Sequence, residues 1–508
     1  MVVIDAYGIA VLSFMGLMIA VGTSTSLLIK KSSTRYMIAG KSLPFIFVGT
    51  MLTSQAVDGN ASLGNAALVY EFGFWAGAAI PIGLALCLIL TGTIYGKKLN
   101  KMAMLTLPDF YYRRYGYGAE GISSILMMMS FVVLVAGNFA AGGFILSTVL
   151  QIDLFWGMII TSLAVLTYTF AGGLFSAAYT DIFQVYLTIG AFWAAFLFFS
   201  LGFSGVDFNT ILGNAPPGFL DLSGITNPEN GALTFWAAIL ALGLGDVVAL
   251  DFMERIFSAR SPNTARKGAL MGASLTMSIV VPTSMMGIIA LYFLPDLGDP
   301  FTAYPNLAIH VLPFPIGAAL LMGVLGASMS TACGGLLAVS SVVSRNLLQR
   351  DILRRILKRP GLTDRKLLIT TRLMTIPVMT AGFLLGYMIP KPGIYLILAF
   401  DIVFAGAWAP LTLGLFWKKS NLPAAITSLI LGSSTRLLMF FITPIEYAGL
   451  DTMIPPVISF IAFIIVALLT QKKYPGGKKQ GVINYVPPEE DVVNGEDLKG
   501  YVPPSENK

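Results

Sequence analysis

Gly49-Thr-Met-Leu-Thr-Ser-Gln-Ala-Val-Asp58-Gly59-Asn60-Ala-Ser-Leu-Gly64 interrupts the middle of a hydrophobic run. A carboxylate at the centre of a bilayer costs at least about 2.5 to 3.5 kcal/mol and marks a functional position by default. The polar, glycine-containing stretch therefore predicts a membrane helix broken near Asp58. Such a break frees backbone carbonyls and a positively polarised helix start, groups that can hold coupling cations and solutes. Packing against neighbouring helices explains Ser54 and Ser62 but explains Asp58 poorly.

The pattern returns at Ala241-Leu-Gly243-Leu-Gly245-Asp246-Val-Val-Ala-Leu-Asp251-Phe-Met-Glu254-Arg255. Of the 508 residues, 56% are hydrophobic and 11% charged, with a mean hydropathy of +0.78. A soluble chain carries about 25% charged residues, so a water-soluble fold is excluded. Apolar runs long enough to cross a ~30 Å core predict an all-α polytopic membrane protein. About thirteen spans are expected, at 7–29, 42–70, 73–96, 120–149, 155–171, 174–203, 233–258, 268–294, 313–344, 368–389, 393–417, 422–443 and 454–471. The two broken spans lie five apart, as expected if five-helix repeats at 42–203 and 233–417 are inverted about an axis in the membrane plane. Residues 1–30 would then hold one helix before the repeats, 422–471 two after them, and 472–508 a disordered cytoplasmic tail.

Basic residues cluster in alternate loops: Lys30 to Lys41, Lys97 to Arg114, Arg255 to Lys267, Arg345 to Lys366, Lys418 and Lys419, and Lys472 onward. The longest opposing loop, 204–232, carries Asp207, Asp221 and Glu229 and no Lys or Arg. The positive-inside rule then puts the N-terminus outside and the C-terminus in the cytoplasm of a cell that carries the protein in its plasma membrane. It also accounts for the net charge of +6 without nucleic acid. The first apolar run is too long for a cleaved signal and is expected to remain as a helix. Tyr-Val-Pro-Pro at 485–488 and 501–504 reads as a solvated spacer.

Cys87 and Cys333 both lie in apolar runs, which excludes a disulfide scaffold. The single histidine, His310, sits at a predicted helix start and is read as interfacial. Neither a nucleophile–base constellation nor a His-rich metal site can be assembled, so no enzyme and no organic cofactor are expected. A channel would require a filter loop or charged ring, and no repeated glycine-rich filter is present. The tail is too short for a fused signalling domain, and no obligate protein partner is expected; the partners are a small solute, its coupling ion and the lipid bilayer.

In Gly326-Ala327-Ser328-Met329-Ser330-Thr331-Ala332-Cys333-Gly334-Gly335, positions 327, 330 and 331 share a helix face and can present two hydroxyls and a carbonyl together. This stretch resembles the sodium-site helix of the solute:sodium symporter family, with its Ala-x-x-Ser-(Ser/Thr) pattern. Tyr36 to Pro44, Leu105 to Gly116, Ala171 to Gln184, Arg255 to Arg266 and Gly414 to Lys419 are similar to other segments of the family, in the expected order across about residues 30 to 420.

The resemblance implies a LeuT-like 5+5 inverted-repeat fold and sodium as the coupling ion. The ion would be held by carbonyls of Ser54, Val57 and Ala327 and by hydroxyls of Ser330 and Thr331, with Asp181 adding negative potential from just outside. Neutral oxygens in place of water suit a weakly held monovalent cation. Some members hold a second sodium ion with hydroxyls two and three positions after the Thr; here those positions are Cys333 and Gly334, so one sodium per cycle is expected.

The candidate solute groups are Asp58, Asn60, Asp246, Asp251 and Asp401, with no Lys or Arg read among them. Such a cavity favours an amine-bearing or zwitterionic solute, an amino acid or a betaine-like compound. Arg436 lies outside the repeats and is not expected to join them. Asp251 and Glu254 have a plainer reading as partners of Arg255 or a neighbouring base. Urea or a sugar remains open, because carboxylates also accept from hydroxyls and amides, as does proton coupling through Asp58 or Asp181 on the same fold.

Overall fold

Asp58 ends one helix and starts the next. In the computed structural model, which describes residues 5–444 and 447–475, helix Phe45–Ala56 stops where Val57 leaves helical geometry at φ −108°, ψ 60°. Asp58 is extended (φ −89°, ψ 175°), and its carboxylate accepts from the Ala61 N–H at 2.5 Å to cap helix Gly59–Phe72. Aspartate is among the best N-caps because its side chain satisfies one of the N–H groups that a helix start leaves open.

The second break is built differently. Helix Ala232–Leu244 runs into a tight turn, Gly245–Val248, and Ala249 is extended (φ −68°, ψ 129°) before helix Leu250–Ser258 begins. The two arms are bent by 47°. The residues just before helix Phe45–Ala56 and at the end of helix Leu250–Ser258 pair: Leu43 N–H donates to Ser258 O and Arg260 N–H to Leu43 O, each at 3.1 Å.

Fifteen principal helices follow in chain order: α1 Ala6–Ser24, α2 Phe45–Ala56, α3 Gly59–Phe72, α4 Phe74–Leu90, α5 Tyr117–Leu150, α6 Leu154–Ser200, α7 Ala232–Leu244, α8 Leu250–Ser258, α9 Pro262–Ser278, α10 Val280–Phe293, α11 Phe314–Val342, α12 Asp364–Met388, α13 Pro392–Phe416, α14 Leu422–Ile442 and α15 Leu450–Thr470. Helix α11 packs along α6 and α5, α2 lies between α6 and α9, and α13 covers the turn at 245–248. The broken helices are thereby surrounded by unbroken ones. No strand occurs among the described residues.

Among the described residues, ten helices are long and apolar enough to cross a membrane, eleven if α7 and α8 count as one bent span. Two of the thirteen predicted spans fall inside α6, whose 47 residues bend at Gly173 (φ 53°, ψ −135°). Glycine is required there, since the backbone is left-handed and a Cβ would collide with Tyr36. Another predicted span is divided between α2 and α3, each too short to cross alone at 1.5 Å per residue. His310, read as lying at a helix start, instead closes the short helix Ala303–His310. Residues 476–508, with both Tyr-Val-Pro-Pro copies, lie outside the described residues.

The loop motif 105–116 is tied to the basic end of α11. Asp109 is fully buried, 3.3 Å from Arg345 and 2.9 Å from Arg350. Asn346 donates to Asp109 at 3.1 Å and to Glu120 at 2.7 Å, and Arg350 also pairs with Glu120. Burial alone would raise the Asp109 carboxyl, but Arg345, Arg350 and Arg113 outweigh it and hold the group well below the usual carboxylate range. With its folded value depressed, the Asp109 carboxylate contributes stability that is present at neutral pH and is lost only as pH falls below about 4. Asp109→Ala removes the fully buried carboxylate that pairs with both Arg345 and Arg350 and is expected to cost about 3 to 5 kcal/mol. Denaturant unfolding of the detergent-solubilised protein at pH 7 checks this, and a cost below about 1 kcal/mol would show that the cluster adds little.

Candidate sodium and solute site

Ser54 lies on the last turn of α2, where the break leaves carbonyls without helical donors. Its hydroxyl is 2.5 Å from that of Ser330 on α11, and Thr331 donates to the Ser54 carbonyl at 3.3 Å. Ser330 in turn donates to Asp181 of α6 at 2.7 Å. Three helices distant in sequence thus bring Ser54, Ser330, Thr331 and Asp181 together, all buried. The other Asp181 oxygen, Oδ2, is buried with no hydrogen-bond partner. Ala327 lies one turn earlier on the same face of α11 and is buried. Val57 lines a cavity of about 10 Å³ shared with Ser62, Asn65 and Thr283, room for about one water-sized particle. The donor set is neutral oxygens beside one carboxylate, chemistry that fits a desolvated monovalent cation.

The five solute candidates separate. Asp58 is occupied at both oxygens: Oδ1 caps α3, and Oδ2 accepts from Asn138 Nδ2 of α5 at 2.9 Å. Asn60 donates to Leu134 O at 3.2 Å, so it too ties α3 to α5, while its Oδ1 has no partner. Asp251, in the first turn of α8, accepts from the Phe252 N–H at 2.7 Å, and its carbonyl accepts from Arg255 at 3.1 Å. Glu254 lies 3.8 Å from Arg255, in keeping with its plainer reading.

Asp401 must be corrected. It is engaged by Arg436 of α14 at 2.7 Å and by Thr452 of α15 at 2.9 Å, and Arg436 also pairs with Asp451 at 2.9 Å. The helix turn that sets the Phe404 side chain and the Phe400 carbonyl against Gly245 points Asp401 toward the last two helices. The expectation that no basic group accompanies the carboxylates therefore fails twice: at Arg436, which lies 35 residues beyond Asp401, and at Arg255, the neighbour that the plainer reading of Asp251 and Glu254 already named.

Asp246 differs from the rest. It is fully buried in the turn of the second break, and neither carboxylate oxygen has a hydrogen-bond partner. Its ionisable neighbours include Asp251, Asp58 and Cys87, and the Phe404 side chain and the Phe400 carbonyl stand beside the adjoining Gly245.

Sequence reasoning missed Gln55, Asn138 and Arg255 as site residues. Gln55 stood in the polar stretch that opened the reading, and Asn138 is an amide inside an otherwise apolar helix; both carried the same signal as Asp58 at lower intensity.

A family model described as SSF: Sodium:solute symporter family matches residues 36–432. Among curated proteins, the chain is 25% identical over 453 residues to the high affinity choline transporter 1 of Homo sapiens, covering 84% of this chain and 76% of that one. It is 26% identical over 463 residues to the sodium/glucose cotransporter of Vibrio parahaemolyticus (84% and 82% covered). It is 24% identical over 463 residues to the osmoregulated proline transporter OpuE of Bacillus subtilis (86% and 89%). Among solved structures, a substrate-bound, outward-open Na+-coupled sialic acid symporter superposes with a TM-score of 0.76 at 15% identity, covering 91% of this chain and 98% of that one. Mhp1, a nucleobase-cation-symport-1 family transporter, does so with a TM-score of 0.55 at 13% identity (93% and 99%). These two likenesses show the fold alone, an all-helical LeuT-like transporter. The family match runs from the residues before the first broken helix into α14, across both breaks and the Ser330–Thr331 face, and the chain belongs to the sodium:solute symporter family.

Proposed function

We propose that this protein imports a small amine-bearing or zwitterionic solute across the plasma membrane, N-terminus outside and C-terminus in the cytoplasm, coupled to the downhill flow of one sodium ion by alternating access. The observation that carries the solute class is Asp246. A buried carboxylate with no hydrogen-bond donor is costly, and an ammonium group delivered by the solute supplies the missing counter-charge. Choline and proline, named for two of the relatives, both carry a cationic nitrogen; glucose, named for the third, does not. The paired segments at Leu43 and Ala259 support reading 42–203 and 233–417 as inverted repeats, since each flanks the inner arm of one broken helix.

Sodium in this reading binds Ser54, Val57, Ala327, Ser330 and Thr331 with Asp181 behind them, and Cys333 and Gly334 offer no hydroxyls for a second ion. Uptake into proteoliposomes under imposed sodium or proton gradients, with labelled choline, proline, glucose and urea, tests the proposal. Sodium-driven uptake of an amine is expected. Uptake driven by protons alone, or preference for glucose or urea, would overturn it. Reversal potentials are expected to give one sodium per solute, and a ratio of two or more would show that a second ion site exists.

A further inference from the structure

Ser54 is followed by Gln55, a buried amide that reaches from Ser330 toward the second broken helix. In the orientation that satisfies both ends of the amide, Nε2 donates to Asp251 Oδ2 at 2.9 Å, and Oε1 accepts from Arg255 Nη2 at 3.1 Å and from Ser330 Oγ at 3.2 Å. One side chain on α2 thereby touches α11 and two positions of α8. Arg255 is fully buried and also donates to the Asp251 carbonyl.

Gly334 makes room for this arrangement. It lies four residues after Ser330 on the same face of α11. A Cβ there would stand 2.7 Å from Arg255 Nη2 and overlap the Gln55 amide. The Ser330 hydroxyl has one proton, and both Asp181 and Gln55 stand within its reach. A cation on the Ser330 oxygen orients that proton and fixes α2 against α11, and the Gln55 amide hands the constraint to α8.

We propose that Gln55 is the positioning residue that couples sodium binding to the inner arm of the second broken helix, with Gly334 providing the space for it. The inference rests on reading Ser54, Ser330 and Thr331 as sodium ligands, and it needs no knowledge of the solute. Hydrogen–deuterium exchange of the full-length protein in NaCl and in KCl of equal ionic strength tests it. In the parent, sodium is expected to slow exchange around Ser54 and Ser330 and also across Leu250–Ser258, by at least about fivefold, the lower edge of ordinary coupling between sites.

Gln55→Leu is expected to keep the sodium effect on α2 and α11 and to lose it on α8. Gly334→Ala, which retains Gln55 but displaces its amide, should do the same and serves if the first variant does not fold. A merely structural Gln55 would change exchange equally in both salts. The inference is overturned if sodium still protects α8 in the folded variants, or if the parent shows protection around Ser330 and none on α8. Absence of any sodium effect around Ser330 in the parent would overturn the sodium-site reading and this inference with it.

Discussion

Asp246→Asn is expected to weaken solute binding by about ten- to a hundred-fold while leaving the half-saturating sodium concentration within about threefold. The change preserves volume and removes charge at a buried carboxylate that has no hydrogen-bond partner. A hydrogen bond to a charged group is worth about 1.5 to 3 kcal/mol, which sets that range. The same substitution at Asp58 should cost solute binding less, because Asp58 already uses both oxygens on Ala61 and Asn138, and asparagine caps a helix about as well as aspartate. Binding isotherms with the amine that the uptake panel selects, in sodium buffer, separate the two positions. Equal losses at both, or none at Asp246, would mean that the solute's cationic nitrogen is not met at the second break.

Replacing Ser330 and Thr331 together by alanine removes two proposed sodium oxygens and is expected to raise the sodium concentration for half-maximal transport at least about tenfold. Each hydroxyl that meets a charge contributes on the order of 1.5 kcal/mol or more. Ser330 also bridges Ser54 and Asp181, so the double variant leaves the Asp181 carboxylate without its donor and the two should not act additively. Thr331→Ser keeps the oxygen and should stay near the parent. Sodium titrations of transport measure all three, and thermal unfolding in potassium buffer checks that the fold survives. A double variant with the parental sodium dependence would place the ion elsewhere.

Much of the architecture was legible because the bilayer imposes a simple rule. Apolar runs of about 20 residues must be helical, since an unpaired backbone group in hydrocarbon is too costly. Asp58 and Asp246 stood out for a related reason, the cost of a charge in hydrocarbon. Counting was harder. The sequence at Gly172 and Gly173 separates two spans, yet the backbone bends there without a loop and yields one element, α6. At the first break, by contrast, two residues suffice to end one helix and begin another.

The sequence by itself determined the membrane class, the two interrupted helices and the hydroxyl face at Ser330 and Thr331, because each depends on local composition and helical spacing. Only the tertiary structure decided which carboxylates have partners. Asp401 meets Arg436, Asp58 caps its own helix and meets Asn138, Gln55 reaches Asp251 and Arg255, and Asp246 is left with no hydrogen-bond partner. Those outcomes turn on contacts between helices tens to hundreds of residues apart. A buried charge is stabilised or stranded by the few atoms within about 4 Å of it, and spacing along one helix carries no information about which atoms those are.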